Sequence, residues 1–204
     1  QLEIVAMLGG AHAVNVVIDE ERRISLANFG EVVESHLKAV DHVRAYAEVA
    51  VAERFATVVT SAAGYPLDKT YYQTVKGMVG PLDILAPGGT LVIASACSEG
   101  MGSAEYVASQ KRLIERGAEQ FMRDIEFKSH AAVDEWQTEM LLKSLRVGRV
   151  GLYTGGLTDD EHGLTGVEII DSVADAVATA VAAAGDKRVA VIPEGPYVVP
   201  RYRP

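Results

Sequence analysis

An ammonium, an amide and a phenol are carried close together by the run Tyr72-Gln73-Thr74-Val75-Lys76. Gln73 and Lys76 are three positions apart, so on a helix their side chains share one face, with Tyr72 beside them. Such a face suits a carboxylate or another oxyanion, because the ammonium supplies charge and the amide supplies directional hydrogen bonds. A plainer interpretation is a solvated first turn with Lys76 lying along the surface.

The residues before this run indicate how it is positioned. Ala56-Thr57-Val58-Val59-Thr60 is a short apolar run that predicts a buried strand, and Ser61-Ala62-Ala63-Gly64 follows it. Asp68 is the predicted N-cap of a helix over Lys69 to Gly77. Free backbone N–H groups at that helix start would favour anions. The carboxyl end of a strand in an open parallel sheet is also where ligands bind.

The longer run Gly64 to Gly77 resembles a signature of the nickel-dependent lactate racemase family, GYPLDxxxYQxxKG, which lies in its carboxyl-terminal domain. This run is fairly specific, and shorter matches extend the resemblance over most of the chain. They are Asn15-Val16-Val17-Ile18-Asp19, Gly88-Gly89, Asp134-Glu135-Trp136-Gln137 and Ile192-Pro193-Glu194-Gly195.

The resemblance implies an enzyme that racemises a 2-hydroxy acid by abstracting its α-hydrogen as hydride and returning it to either face. The family uses a nickel-pincer nucleotide for this chemistry. By resemblance, Lys76 and Gln73 are the catalytic residues of this domain, while Tyr72 and Trp136 line the substrate or cofactor cleft. Gln137 is a weaker candidate for the same wall. From the residues alone, a tryptophan buried in the core is an equal alternative for Trp136.

The family keeps its metal-ligand histidine, cofactor-anchoring lysine and proton-transfer histidines in an amino-terminal domain. No metal ligand is therefore assigned in this chain, and its five histidines lack the spacing of paired ligands. The stretch Gln1 to Gly10 is typical of the end of a helix from a longer protein. We expect a carboxyl-terminal domain, inactive alone, whose partners are the missing amino-terminal domain and a small-molecule 2-hydroxy acid.

Two further interpretations come from the same residues. A non-catalytic anion- or nucleotide-binding regulatory module would hold a phosphate or carboxylate at the helix start near Asp68. A racemase or epimerase of another 2-hydroxy acid, such as malate or a sugar acid, would use the same side chains as a lactate racemase. Glu99 is expected to hydrogen-bond a ligand hydroxyl at this site. Cys97 is expected to be a half-buried thiol.

Apolar β-branched runs alternate with helical patterns along the chain, which predicts an α/β fold. Strands are predicted at Ala13 to Ile18, Ile24 to Phe29, Ala56 to Thr60, Thr90 to Ala94, Arg149 to Tyr153 and Arg188 to Ile192. Helices are predicted at Glu31 to Tyr46, Lys69 to Gly77, Leu82 to Leu85, Ala104 to Arg116, Val133 to Leu145 and Val167 to Ala184.

Near-continuous apolar strands favour a mainly parallel sheet with helices on both faces. The polar turn at residues 19–23 joins the first two strands into an amino-terminal β-hairpin. We predict that residues 1–50 form the hairpin and a helix linking to the missing upstream domain, and that residues 51–204 form the α/β domain. Several strands end in small or polar residues, which predicts a polar rim at one sheet edge.

The composition limits the classes of partner. With 49% hydrophobic and 23% charged residues, the chain can bury a sizeable core. A formal charge of −9 and a pI near 5.0 argue against binding to nucleic acid or an anionic membrane. The single cysteine excludes an internal disulfide and fits a reducing compartment, so we expect a cytoplasmic protein.

Overall fold

The structure of the chain, a computed structural model, describes residues 2–7 and 10–204. Gln1, Leu8 and Gly9, which belong to the predicted helix end, lie outside the described residues. The chain divides into two units, Gln1–Glu48 and Val49–Pro204. None of the helices in the described ranges combines the length and the apolar character needed to cross a lipid bilayer.

The amino-terminal unit is a short helix followed by a hairpin and a longer helix. Its elements are α1 (Leu2–Met7), β1 (His12–Ile18), β2 (Ile24–Glu31) and α2 (Val32–Ala47). The two strands pair antiparallel, which confirms the predicted hairpin. Asp19 forms the turn, because its carboxylate accepts hydrogen bonds from the N–H groups of Glu21 and Arg23 at 3.0 and 2.8 Å.

The second unit contains most of the sheet and helices. Its strands are β3 (Glu48–Val51, which begins at the last residue of the first unit), β4 (Phe55–Ser61), β5 (Leu85–Ala94), β6 (Arg149–Tyr153), β7 (Glu168–Ile169), β8 (Val189–Ile192) and β9 (Val199–Tyr202). Its helices are α3 (Tyr71–Val79), α4 (Ala104–Glu126), α5 (Glu135–Val147), α6 (Asp159–Thr165) and α7 (Val173–Ala184), with 3₁₀ turns at Gly80–Asp83 and Gly195–Tyr197.

Five parallel strands form the main sheet in the order β7-β6-β5-β4-β8, while β3 pairs with β9 separately. Leu91, Val92 and Ile93 follow one another in β5 and are all fully buried. Since successive strand residues point to opposite faces, both faces of this strand are covered. The predicted α/β architecture, with a parallel sheet flanked by helices, is confirmed.

Three predicted helices differ from the structure. The predicted helix over Leu82 to Leu85 is a 3₁₀ turn, because Leu85 already begins β5. The helix predicted to end at Arg116 continues as α4 through a kink at Gly117, whose φ of 76° and ψ of 162° are not helical. The helix predicted from Val167 begins only at Val173, since the segment before it pairs with β6 as β7.

The predicted N-cap of α3 is also wrong. The helix begins at Tyr71, and Thr70 rather than Asp68 caps it by accepting a hydrogen bond from the Gln73 N–H at 3.3 Å. Asp68 belongs to a turn in which its N–H donates to the Gly64 carbonyl at 3.1 Å. The helix therefore starts later than the sequence pattern predicts.

Gly77 permits close contact between α3 and the sheet, and its replacement should be costly. A Cβ there would lie 2.8 Å from the Ser61 carbonyl oxygen and 3.1 Å from Ile93 Cδ1. We expect Gly77→Ala to lower the unfolding free energy by about 1–3 kcal/mol, measured by urea denaturation. Gly163→Ala is the control, because a Cβ at this α6 position meets no atom within 4 Å. The control should be stabilised by roughly 0.5–1 kcal/mol, and equal effects of the two variants would contradict the packing argument.

Candidate functional site

The segment between β4 and α3 is fixed against the end of β5. The Asp68 carbonyl accepts a hydrogen bond from the Cys97 N–H at 2.7 Å, and the Lys69 carbonyl accepts one from the Glu99 N–H at 2.7 Å. Thr74 on α3 shares a 2.6 Å hydrogen bond with the Ser95 hydroxyl. These bonds place the start of α3 at the carboxyl ends of two neighbouring parallel strands, which is the sheet edge where ligands are expected.

The backbone N–H groups at the start of α3 are not free. The Tyr71 N–H donates to the Gly100 carbonyl and the Tyr72 N–H donates to the Met101 carbonyl, both at 3.0 Å. Both carbonyls belong to residues 95–103, which we call the rim loop. The prediction of free N–H groups that attract an anion is therefore wrong at these two positions, because the rim loop already satisfies them.

Tyr72 is the centre of the candidate site. Its ring meets the Trp136 ring edge-on with 6.1 Å between centroids, and meets the Tyr106 ring at a right angle with 5.2 Å between centroids. The Lys76 Nζ lies 5.7 Å from the centroid of the Tyr72 ring. Lys76 and Trp136 are therefore neighbours of the same half-buried phenol, and an ammonium at this distance is attracted to the ring.

The Lys76 ammonium is available to a ligand. The side chain is exposed, and it forms neither a salt bridge nor a hydrogen bond with any residue in the described ranges. Lys69, the other lysine of the motif, is different because it pairs with the Glu99 carboxylate. This pairing raises the pKa of Lys69 and occupies Glu99, so the expectation that Glu99 meets a ligand hydroxyl is not supported by its contacts.

Gln73 carries a buried amide oxygen, Oε1, that has no hydrogen-bond partner in the described part of the chain. Leaving such an acceptor unpaired costs about 1–3 kcal/mol, so a donor from outside these residues would be stabilising. No hydrogen bond joins the Gln73 side chain to Lys76 or Trp136 within residues 2–7 and 10–204. Its action beside Lys76 stays a prediction.

Trp136 stands at the start of α5 with 48% of its surface exposed, so the alternative of a core tryptophan is wrong. Gln137, a weaker candidate for the wall, is instead fully buried. Its Nε2 donates a 2.7 Å hydrogen bond to the Tyr72 carbonyl and so connects α5 to α3. Glu135 is also buried, and its carboxylate pairs with Arg112 and Lys128.

Asp134 and Ser103 were not recognised as part of this site from the sequence. Asp134 precedes α5 at a left-handed φ of 61°, but its side chain makes no capping bond. Its carboxylate accepts a 2.6 Å hydrogen bond from the Oγ of Ser103, the N-cap of α4. Burial, together with this carboxylate, raises the pKa of Tyr72 above its ordinary value, so the phenol stays protonated near neutral pH.

Cys97 is fully buried beside the hydroxyls of Thr74 and Ser95, so it packs more deeply than the half-buried thiol expected. The described residues contain no group of three or more His, Cys, Asp or Glu side chains placed to hold a metal ion. The chemistry that these residues offer is therefore one exposed cation beside an aromatic wall.

Comparison with known proteins identifies the family. A model of the lactate racemase C-terminal domain matches residues 51–199. The chain belongs to this family. It is 32% identical over 137 residues to the lactate racemase of Thermoanaerobacterium thermosaccharolyticum, covering 66% of this chain and 32% of that protein. It is 30% identical over 96 residues to the lactate racemase of Lactiplantibacillus plantarum, covering 47% and 22%. The predicted family is confirmed.

Solved structures agree with this assignment. The lactate racemase apoprotein from Thermoanaerobacterium thermosaccharolyticum has a TM-score of 0.81 and 28% identity, covering 94% of this chain and 46% of that one. A Thermotoga maritima protein has a TM-score of 0.61 at 12% identity, covering 98% and 51%, and is similar in fold alone. The chain thus spans about half of the first solved chain and about a third of the curated relative from the same organism.

Glu161 of α6 lies against the rim loop, since a Cβ added at Gly100 would be 2.7 Å from its Oε1. Its carboxylate accepts hydrogen bonds from the Thr158 N–H at 2.9 Å and from the Thr158 hydroxyl at 3.0 Å, the first within a capping box. The hydrogen bond from the Thr158 N–H is the main cause of a pKa of Glu161 below its ordinary value, and the Thr158 hydroxyl acts in the same direction. The ionised Glu161 therefore stabilises the folded state at any pH above the pKa that this carboxyl has in the unfolded chain. This stabilisation is lost as the pH falls through the lower pKa of Glu161 in the folded state.

We expect the unfolding free energy of the wild-type chain to fall more steeply between about pH 5 and pH 3 than that of Glu161→Gln. The glutamine cannot be protonated in this range, so one source of acid sensitivity is removed. Urea denaturation at several pH values measures the slopes. Glu115→Gln removes an exposed carboxylate from α4 and should keep the wild-type slope. A Glu161→Gln slope equal to wild type would contradict this role of Glu161.

Proposed function

We propose that this chain is the carboxyl-terminal part of a lactate racemase-like isomerase that interconverts the stereoisomers of a 2-hydroxy acid by hydride abstraction and return. The family assignment supports the reaction class. The observation that carries the proposal for this chain is the exposed, unpaired Lys76 ammonium beside the Tyr72 and Trp136 rings. These residues lie in the runs that resemble the family signature.

The Lys76 ammonium binds the carboxylate or the α-oxygen of the substrate and stabilises negative charge that develops there. In a partly desolvated cleft, one positioned cation contributes on the order of 2–4 kcal/mol to the transition state. The unpaired Gln73 Oε1 accepts a hydrogen bond from the substrate hydroxyl, which would satisfy that buried oxygen. Tyr72 and Trp136 form the wall that excludes water from one side.

The residues present also fit one side of a nickel-pincer nucleotide. When bound, this cofactor supplies the hydride-accepting centre of the reaction. The exposed Trp136 indole and the Lys76 ammonium suit a flat group that carries anionic substituents. No metal-ligand cluster occurs among residues 2–7 and 10–204, so we propose that the metal and most of the nucleotide are held by an amino-terminal domain.

Two observations bear on the other hypotheses. The rim-loop carbonyls occupy the first N–H groups of α3, which weighs against a regulatory module that binds anions at this helix start. We also propose a cytoplasmic location, since Cys97 is a free buried thiol in the structure. Titration of the chain with nucleotides and 2-hydroxy acids tests the module directly, because micromolar binding without any added domain would favour it.

Lys76→Ala in the whole enzyme should lower kcat/KM at least about 100-fold, because the transition state loses its positioned cation. Chiral chromatography of lactate, malate and sugar acids measures racemisation. The unfolding free energy should change by less than about 0.5 kcal/mol, since the side chain is exposed and unpaired. Lys143→Ala, which removes an exposed lysine from α5, should retain activity. Near-normal racemisation by Lys76→Ala would remove the proposed role.

A further inference from the structure

Gln137 is a fully buried polar residue in the first turn of α5. Its Nε2 donates a 2.7 Å hydrogen bond to the Tyr72 carbonyl on α3. Within residues 2–7 and 10–204 this is the only hydrogen bond of the side chain, and the buried Oε1 has no partner. An unsatisfied acceptor at a buried position costs free energy, which an apolar side chain of similar size would avoid. Helix packing alone therefore does not account for a glutamine here.

The carbonyl that Gln137 contacts belongs to the turn that carries the candidate site. In an α-helix each carbonyl faces the N–H four residues further on, so the Tyr72 carbonyl lies in the turn that ends at Lys76. A carbonyl oxygen has two lone pairs and can accept a second donor from outside the helix. Gln137 therefore bonds to the backbone of the turn that bears both the Tyr72 ring and the Lys76 ammonium.

The first turn of α5 is also fixed on its other side. The buried Glu135 carboxylate pairs with Arg112 of α4. Trp136 lies between Glu135 and Gln137 in the chain, and its ring meets the Tyr72 ring edge-on. Because α4 already holds this turn, the bond from Gln137 connects a fixed part of the scaffold to α3.

We propose that Gln137 is a positioning residue for the candidate site. Through the Tyr72 carbonyl it fixes the first turn of α3 against the first turn of α5, and so fixes where the Lys76 ammonium lies relative to the Trp136 indole. This inference rests on the proposed function for its effect on catalysis. Its structural part stands independently, because it concerns only contacts within this chain.

Gln137→Met tests the proposal, because methionine is an unbranched side chain of similar length without a hydrogen-bond donor. Gln110→Met is the matched control. Gln110 on α4 is also fully buried, its Nε2 donates to the Leu164 carbonyl at 3.0 Å, and its Oε1 also has no partner in the described ranges. The two variants lose the same kind of bond from the same kind of environment, but of the two only Gln137 bonds to α3.

Trp136 is the only tryptophan of the chain, so its fluorescence reports on this site without a ligand. We expect a red-shifted emission and stronger acrylamide quenching in Gln137→Met, because the indole loses part of its contact with the Tyr72 ring. Gln110→Met should keep the wild-type spectrum, although both variants should unfold at a lower urea concentration. Equal spectral changes in the two variants would overturn the proposal.

In the whole enzyme, we expect Gln137→Met to lower kcat per folded molecule about tenfold with less than about a threefold change in KM, because the cation is misplaced while the binding groups remain. Gln110→Met should keep the wild-type kcat. Urea denaturation gives the folded fraction of each variant. A purely structural role of Gln137 would leave kcat per folded molecule unchanged, and that result would rule out positioning.

The outcomes separate this inference from the proposed function. Wild-type emission and kcat in Gln137→Met would refute the positioning role even if Lys76→Ala abolishes turnover. A changed emission confined to Gln137→Met, with an active Lys76→Ala enzyme, would support the contact and refute the racemase role of Lys76. If Gln137→Met fails to fold, Gln137→Asn decides, because its amide is one methylene shorter and falls short of the Tyr72 carbonyl. Wild-type emission and kcat in Gln137→Asn would then overturn the proposal.

Discussion

The contact between the first turns of α3 and α5 is the constraint on which the candidate site depends. Tyr72 lies at this contact, where Trp136 meets its ring and Gln137 bonds to its backbone carbonyl. Glu135, the residue before Trp136, pairs instead with Arg112 and Lys128. Because consecutive helix residues point in different directions, one turn of α5 can both anchor the helix and shape the site.

Much of the scaffold follows from apolar patterning. The strands β4, β5, β6 and β8 carry β-branched runs that are long enough to recognise, and β6 has the predicted bounds. Among the strands that were not predicted, β7 has only two residues, while β3 and β9 contain polar residues or a proline, unlike the wholly apolar four-residue β8. Helix α6 is absent from the predicted helices, although Thr158 and Glu161 have the spacing of a capping box.

The site was predictable in part, and for a physical reason. Residues within one helix, such as Tyr72 and Lys76, have a spacing that fixes their relative directions. The contacts of Trp136 and Gln137 with Tyr72 cross more than sixty positions of sequence, so they depend on how α3 and α5 pack. Asp68 was predicted as the N-cap because its residue type favours that position. In the structure its backbone N–H donates to Gly64 and its carbonyl accepts from Cys97, so the helix begins after it.

The closed start of α3 changes the kind of electrostatics that this surface can use. A helix start with free N–H groups attracts anions through fixed backbone dipoles, which distinguish poorly between a phosphate and a carboxylate. Here the rim-loop carbonyls neutralise two of those groups, so the positive charge on this face of α3 comes from the Lys76 side chain. A side-chain ammonium on a four-carbon stem is a movable point charge, and its position depends on what it packs against. The orientation of the Tyr72 ring, which Trp136 of α5 meets edge-on, therefore affects where this charge lies.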